Sequence, residues 1–119
     1  MSVDELGEHV KDGLKFCSCW ILGNDQKRIR RFSFLIGGFG ENQLHMPQAA
    51  RDMGAGAIII GEMSGFIVIA CLEVGMPVID SLHSASEIPA IKRQAAMLSQ
   101  KFPDLPVHYI SSGATAFSQ

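Results

Sequence analysis

The sequence predicts an α/β fold, a layered domain with a largely parallel sheet flanked by helices, and three observations support this. Strand-like apolar segments alternate with helical segments along the chain, which is typical of βα units. Residues 57–60 form a continuous apolar run, as expected of a strand covered on both faces of a parallel sheet. The chain has 119 residues, of which 47% are hydrophobic, so residues 1–119 are expected to form one domain with its own core.

Local patterns predict the individual elements. Ser2 and Glu5 form a capping-box pattern ahead of apolar residues at helical spacing. Helices are predicted at residues 3–14, 49–53, 64–74 and 87–102. Strands are predicted at residues 16–22, 31–36, 57–60, 77–80 and 106–110. By composition the third helix could also be a strand, and a helix is chosen because parallel neighbouring strands need a crossover between them.

Two registers remain open for the start of the last helix. With Ser84 as N-cap, Glu87 would complete a capping box, but Pro89 would stand where an intrahelical donor is needed. With Ser86 as N-cap, Pro89 falls within the first turn, and Glu87 is then free to bind a ligand.

Composition argues against several classes of function. Ten basic and twelve acidic residues give a net charge of −2, so no nucleic-acid partner is expected. The basic run at residues 27–31 is interpreted as a solvated connection, with anion binding as the less favoured alternative. The longest apolar stretch, residues 66–72, is too short to cross a membrane. The first residues do not resemble a signal peptide, so a cytoplasmic location is expected.

The cysteines do not form a recognisable metal or disulfide pattern. Cys17 and Cys19 are separated by one residue, whereas a zinc knuckle needs at least two, and Cys71 leaves the total odd. They are expected to be packed thiols in a reducing compartment. Residues 61–65 have no serine at the elbow position of a hydrolase. The catalytic residues are therefore unknown.

Candidate site residues collect at the carboxyl ends of the predicted strands, where α/β sheets usually carry their sites. His83 and Glu87 stand four residues apart just after a strand, close enough to reach one metal ion. As an alternative, His83 is a hydrogen-bonded loop histidine. Glu62 and Asp80 are additional candidates at strand ends, and either could instead cap a helix or face solvent.

A glycine-rich loop follows the second strand. Its glycines are Gly37, Gly38 and Gly40, whose backbone N–H groups could approach an anion. Gln43 stands where a dinucleotide fingerprint needs its third glycine. A tight turn that needs positive φ is therefore the favoured interpretation.

Three segments carry a resemblance to a known family: residues 55–64 (AGAIIIGEMS), 72–80 (LEVGMPVID) and 83–87 (HSASE). They are similar to the closing portion of the NGG-one-interacting-factor-three family, also called the dinuclear metal centre, hexameric, or type 2 GTP cyclohydrolase I family. Residues 2–11 and 37–40 also resemble the stretch that precedes this portion. The resemblance covers nearly the whole chain and corresponds to the C-terminal half of the family fold.

The resemblance implies that His83 and Glu87 match two ligands of the family's two-metal site. The family's other ligands, a His-His pair and an aspartate, lie in an N-terminal portion that does not match here, and these 119 residues contain no His-His pair. Two-metal hydrolysis needs more ligands than one histidine and one glutamate. A second chain could supply more ligands, for instance Glu62, Asp80 or His45 from the same or a neighbouring subunit. The family's toroidal assemblies imply a homo-oligomer.

Three hypotheses follow. In the first, the chain is a truncated family member of unestablished activity that binds a divalent metal of unknown identity, and a metal-dependent hydrolase would result if another subunit completed the site. Alternatively, it is a non-catalytic oligomeric or partner-binding module that has lost the metal site. A third hypothesis is anion or nucleotide binding at the glycine loop, and it has the weakest support because fold does not imply function.

Overall fold

The computed structural model describes residues 1–15, 18–35, 37–38, 40–62 and 64–111, and it confirms the α/β fold. The strands in these residues are β1 (Trp20–Leu22), β2 (Phe32–Leu35), β3 (Ala57–Ile60) and β4 (Val78–Asp80). The α-helices are α1 (Val3–Leu14), α2 (Met46–Asp52), α3 (Gly65–Glu73) and α4 (His83–Lys101). A 3-10 turn at Glu41–Gln43 precedes α2.

The described strands form one sheet in the order β1-β4-β3-β2. β2, β3 and β4 run parallel, whereas β1 pairs antiparallel with β4 along one edge. The largely parallel sheet predicted from the sequence is therefore confirmed. Parallel neighbours require helical crossovers, and α2 and α3 provide them.

The core lies on both faces of the central strand β3, whose residues are all buried. On one face, Ile58 and Ile60 pack with residues of α2 and α3 such as Ile67. On the other face, Ile59 packs with Val3 and Leu6 of α1. Successive residues of a strand point to opposite faces, which explains why a continuous apolar run fits this position.

Several predicted elements are confirmed closely. α1 has the predicted bounds and a complete capping box: the Glu5 N–H donates to Ser2 Oγ over 3.1 Å, and the Ser2 N–H donates to Glu5 Oε2 over 2.7 Å. The segment after β3 is a helix, as predicted. Residues 18 and 19 of the predicted first strand are not in strand conformation, and residues 16, 17 and 36 lie outside the described part.

The predicted strand at residues 106–110 is wrong. This segment is irregular and lies beside α4, where Tyr109 and Ile110 line a small cavity with Glu87. The Lys92 ammonium stands 5.2 Å from the centre of the Tyr109 ring. A strand is stabilised by pairing with a neighbouring strand, but this segment meets a helix surface instead.

Both predicted starts of the last helix are also wrong. α4 begins at His83 with Leu82 as N-cap, so neither Ser84 nor Ser86 caps it. The Ser86 N–H donates to Leu82 O over 2.9 Å, and the Ser86 hydroxyl donates to His83 O over 2.7 Å. Pro89 consequently lies inside the helix. The earlier start places His83 and Glu87 one turn apart on the same helix.

The basic run is built into the fold through its backbone. Lys27 O accepts the Val3 N–H over 3.1 Å, and the N–H of the buried Ile29 donates to Met1 O over 2.9 Å. The Lys27 ammonium also donates to Gly75 O over 2.9 Å. These bonds support the interpretation of the run as a structural connection.

The two described cysteines are free thiols, Cys19 partly buried and Cys71 fully buried. Burial raises the pKa of the Cys71 thiol to about 11, which agrees with the predicted packing role. Cys17 lies outside the described residues. Across the described ranges, the helices are too short or too polar to cross a membrane.

Gly61, directly after β3, brings three parts of the chain into close contact. A Cβ atom placed on it would lie 2.6 Å from Gly37 N, 2.8 Å from Gly37 O and 2.6 Å from Ser86 Oγ. Two of these atoms belong to backbone that follows β2, and the third belongs to α4. Only glycine permits this approach, since such distances lie well inside van der Waals contact.

We expect Gly61→Ala to destabilise the fold by about 1–3 kcal/mol, because the added methyl group must push backbone aside. Urea unfolding followed by circular dichroism measures this change. Gly65→Ala is the matched control, because a Cβ there meets nothing within 4 Å and alanine favours the helix. Equal stability of the Gly61→Ala protein and the wild type would contradict the close contact.

Candidate functional site

The carboxyl ends of β3 and β4 bring a histidine and two glutamates together. Glu62 follows β3, while His83 and Glu87 lie in the first turns of α4. His83 Nδ1 is 2.9 Å from Glu62 Oε2, and His83 Nε2 is 3.3 Å from Glu87 Oε1. The imidazole therefore stands between two carboxylates, one at each ring nitrogen. We call these three residues the acid–histidine cluster.

The acid–histidine cluster is open to solvent. The side chains of His83, Glu62 and Glu87 are 45%, 60% and 48% exposed. The hydrogen bond that the His83 ring donates to Glu62 and the negative charges of both glutamates raise the pKa of His83 above its ordinary value, and together they outweigh the opposing effect of desolvation. The cluster thus attracts positive charge and remains accessible to an ion or a ligand.

The glycine loop packs directly against this cluster. A Cβ on Gly37 would lie 3.1 Å from Glu87 Oε1, and one on Gly38 would lie 2.8 Å from Glu62 Oε2. Gly37 has a φ of 84°, which agrees with the predicted turn that needs positive φ. Gly40 donates its N–H to Gln43 Oε1 over 2.8 Å, away from these contacts. Anion binding at the loop stays a prediction, and the two neighbouring carboxylates oppose it.

Asp80 takes part in the turn between β4 and α4. Its Oδ1 accepts the Leu82 N–H over 2.8 Å, which is the local role that aspartate commonly plays at turns. Asp80 also lines a separate cavity with Trp20 and Leu82.

The backbone conformation of Leu82 was not predicted from the sequence. Its φ of 61° and ψ of 135° place it in a strained region for a residue with a branched side chain. Such strain costs about 1–3 kcal/mol and persists where the surroundings impose it, often at functional sites. Glycine, asparagine or aspartate would have signalled a positive φ here, and leucine gives no such signal.

His83 and Glu87 fit two positions of a divalent-metal site. Imidazole nitrogen and carboxylate oxygen are common ligands of such ions, and the two groups face each other across one helical turn. Within the described residues, however, no group of three or more histidine, cysteine, aspartate or glutamate side chains is arranged to hold a metal ion. The donors therefore fit part of a metal site and need further ligands.

Comparison with known proteins defines the family. The model of the Duf34/NIF3 (NGG1p interacting factor 3) family matches residues 1–115. The chain belongs to this family. A GTP cyclohydrolase 1 type 2 homolog of Clostridium acetobutylicum is 32% identical over 91 residues, which cover 76% of this chain and 32% of that protein.

Solved structures of the NIF3 family share the fold. A Bacillus cereus protein related to NIF3 superposes with a TM-score of 0.80 at 17% identity, over 99% of this chain and 33% of that one. A hypothetical protein of Staphylococcus aureus gives a TM-score of 0.78 at 18% identity, over 100% of this chain and 39% of that one. The chain thus spans about a third of the length of these relatives.

We expect Glu62→Gln to lower the pKa of His83 towards 6.5, because the neutral amide no longer stabilises the imidazolium. Nitrogen-detected NMR of the imidazole against pH measures this. Glu87→Gln should lower the pKa less, since the hydrogen bond to Glu62 is the largest cause.

The raised pKa of His83 also makes the stability of the fold depend on pH. A raised pKa means that these ion pairs stabilise the fold fully below about pH 6.5, and that this contribution is lost as the pH rises through the raised pKa. An unchanged His83 pKa in the Glu62→Gln protein would contradict the described contact.

Proposed function

We propose that this NIF3-family chain binds a divalent metal ion through His83 and Glu87, and that ligands from another chain complete the site. The observation that carries the proposal is the position of the imidazole, held at Nδ1 by Glu62 and facing Glu87 with Nε2. Family membership and the resemblance of residues 83–87 (HSASE) to a metal-binding segment of the family support the same two ligands.

Glu62 has a supporting role in this proposal. Histidines that bind metals commonly donate the other ring N–H to a carboxylate, which fixes the tautomer and the ring orientation. A proton on Nδ1 of neutral His83 would be donated to Glu62, and the lone pair of Nε2 would then face the side of Glu87. We therefore assign Glu62 to the orientation of His83 and not to the set of ligands.

The surroundings favour a cation at this position. Glu62 and Glu87 place two negative charges around one imidazole. A bound divalent ion would supply Lewis acidity and a water molecule of lowered pKa. The protein's own residues would fix and orient the ligands.

Hydrolase chemistry needs the complete assembly. The curated relative carries the name GTP cyclohydrolase 1 type 2 homolog. We propose a metal-dependent hydrolase activity for this chain only in the assembly in which another chain completes the metal site. One observation favours the alternative of a non-catalytic module: the described residues do not provide three converging metal ligands. The metal content of the assembled protein separates these two functions.

We expect the untagged protein to contain stoichiometric divalent metal and His83→Ala to lose it. Elemental analysis of protein purified without chelator measures the content. Glu87→Gln should also lose metal, because it removes an anionic ligand. Glu62→Gln should retain the site with an affinity about 10- to 100-fold lower, as for other groups that orient a ligand.

Glu73→Gln is the control for this series, because it removes a negative charge from the C-terminal end of α3. That variant should keep the metal content of the wild type. Wild-type protein without metal, or His83→Ala protein with full metal content, would contradict the proposed ligands.

We propose that a second chain supplies the missing ligands and that it packs on α4. Only Ala85 and Ser86 of this helix are buried. Its distal half and the residues that follow expose large apolar side chains at Ile91, Met97, Leu98, Phe102 and Leu105. A groove of about 400 Å³ runs along the helix and is lined in part by Met97 and Leu98. Helices gain most of their stability from packing, so we propose that a further copy of the chain covers this face.

We expect Leu98→Glu to shift the protein from an oligomer to a monomer, because a charge would be buried in the contact. Light scattering coupled to size exclusion measures the mass. Gln100→Glu is the control, since it adds the same charge at an exposed position of the same helix. A monomeric wild type, or an unchanged mass for Leu98→Glu, would contradict self-association through α4.

A further inference from the structure

The helix α3 is apolar on its outer side as well as on the side that faces the sheet. Ile67 and Cys71 are buried against the sheet, whereas Phe66, Ile69 and Leu72 are exposed, Ile69 by 59%. These three residues follow one another at intervals of three and therefore lie along one side of the helix. A helix that is apolar all round is normally buried, so the outer side of α3 is a surface that a partner would cover.

Trp20 of β1 lies on the same face of the sheet as α3. It pairs with Asp80 of β4, which in turn pairs with Ile60 of β3, and paired residues carry their side chains on the same face. Ile60 packs in the core cluster that contains Ile67 of α3. Trp20 is nevertheless 72% exposed, although aromatic side chains of this size normally bury most of their surface. The helix α3 therefore does not cover the indole.

The helix layer on this face stops short of β1. The helices α2 and α3 pack side by side and form the crossovers from β2 to β3 and from β3 to β4, so β1 lies beyond α3 at the edge of the sheet. Leu72 reaches this edge, since a Cβ on Gly23 would lie 3.2 Å from its Cδ2. Of the other described helices, α1 packs on the opposite face and α4 contacts α1. We call Trp20, Phe66, Ile69 and Leu72 the α3–β1 face.

The exposed apolar stripe of α4 matches the α3–β1 face in shape and length. Ile91, Leu98 and Phe102 are separated by seven and four residues, so they share one side of the helix. Residues 91–101 span about 16 Å, and α3 spans about 13 Å. Helices that pack side by side lie about 8–10 Å apart. A copy of α4 beside α3 would therefore rest on the indole of Trp20.

The charges around these faces determine which of them can meet. The distal half of α4 has three basic residues, Lys92, Arg93 and Lys101, and no acidic residue. A contact between two α4 helices about a twofold axis would bring these like charges together, which is unfavourable. The helix α3 has one acidic residue, Glu73, and no basic residue. Exposed charges at the rim of a contact mainly steer association, and here they favour α4 against α3.

We propose that the exposed stripe of α4 of one copy docks on the α3–β1 face of a second copy and covers Trp20 and Ile69. The contact is heterologous, because each copy contributes a different face. The proposal deepens the proposed function, because it names the surface that covers α4. It rests on the self-association proposed there and not on the metal site.

We expect Ile69→Glu to convert the assembled protein into a monomer, as expected for Leu98→Glu, because the two variants place a charge in the same contact from opposite sides. Light scattering coupled to size exclusion measures the mass, and circular dichroism checks the fold. Met53→Glu is the control, since it adds the same charge at an exposed apolar side chain that follows α2. That variant should keep the mass of the wild type.

A mixture of the two monomeric variants tests how the faces pair. Leu98→Glu protein keeps an intact α3–β1 face, and Ile69→Glu protein keeps an intact α4, so an equimolar mixture should form a complex of twice the monomer mass. With Trp20→Phe added to the Ile69→Glu protein, the one tryptophan of the chain remains in the Leu98→Glu copy alone. Its emission should shift to shorter wavelength on mixing, because the docked α4 covers the ring.

Several results would overturn the proposal: a monomeric wild type, an Ile69→Glu protein with the mass of the wild type, a mixture that stays monomeric, or a complex without a shift of the Trp20 emission. The contact contains no metal ligand, so chelator-treated protein should give the same masses. Protein that holds metal without this contact would overturn the docking alone, and docking in protein without metal would support it. Failure of the docking and failure of the metal site are therefore distinguishable.

Discussion

The close approach of backbone at Gly61 is the constraint on which the site depends. There the residue after β3 touches Gly37 from the loop after β2 and Ser86 from α4. Three segments that are distant in sequence are therefore in direct contact at Gly61. Glu62 follows Gly61 directly, and His83 and Glu87 flank Ser86 by three residues and one residue. A side chain at position 61 would separate the elements that hold the acid–histidine cluster together.

The fold was largely predictable because its signals are local. The capping box of Ser2 and Glu5, the apolar run of β3 and the crossover argument for α3 each identify an element without knowledge of its neighbours. The wrong prediction at residues 106–110 has a different origin, since an apolar segment beside proline fits a strand locally. Such a segment becomes a strand only if a neighbouring strand pairs with it, and residues 106–110 lie beside α4 instead.

The candidate site was predictable in its residues but not in its geometry. Strand ends and spacing indicated His83, Glu87 and Glu62, and the structure brings all three together. The start of α4 was mistaken because serine is a favoured N-cap, whereas Leu82 adopts a positive φ that leucine rarely takes. The sequence also could not show that Glu62 contacts the opposite ring nitrogen from Glu87, because this depends on how the sheet ends pack.

The proposed metal site and the exposed face of α4 have one explanation in common. Under the proposed function, a second chain would supply the remaining metal ligands and would also cover the exposed apolar side chains of α4.

The most direct test of the central claim is the position of an anomalous-scattering metal, such as zinc or manganese, in crystals of the assembled protein. The account predicts a peak bound by His83 Nε2 and Glu87, with Glu62 still hydrogen-bonded to Nδ1 and the remaining ligands from another chain. A peak at Nδ1 between His83 and Glu62, or none at His83 in metal-saturated crystals, would contradict it.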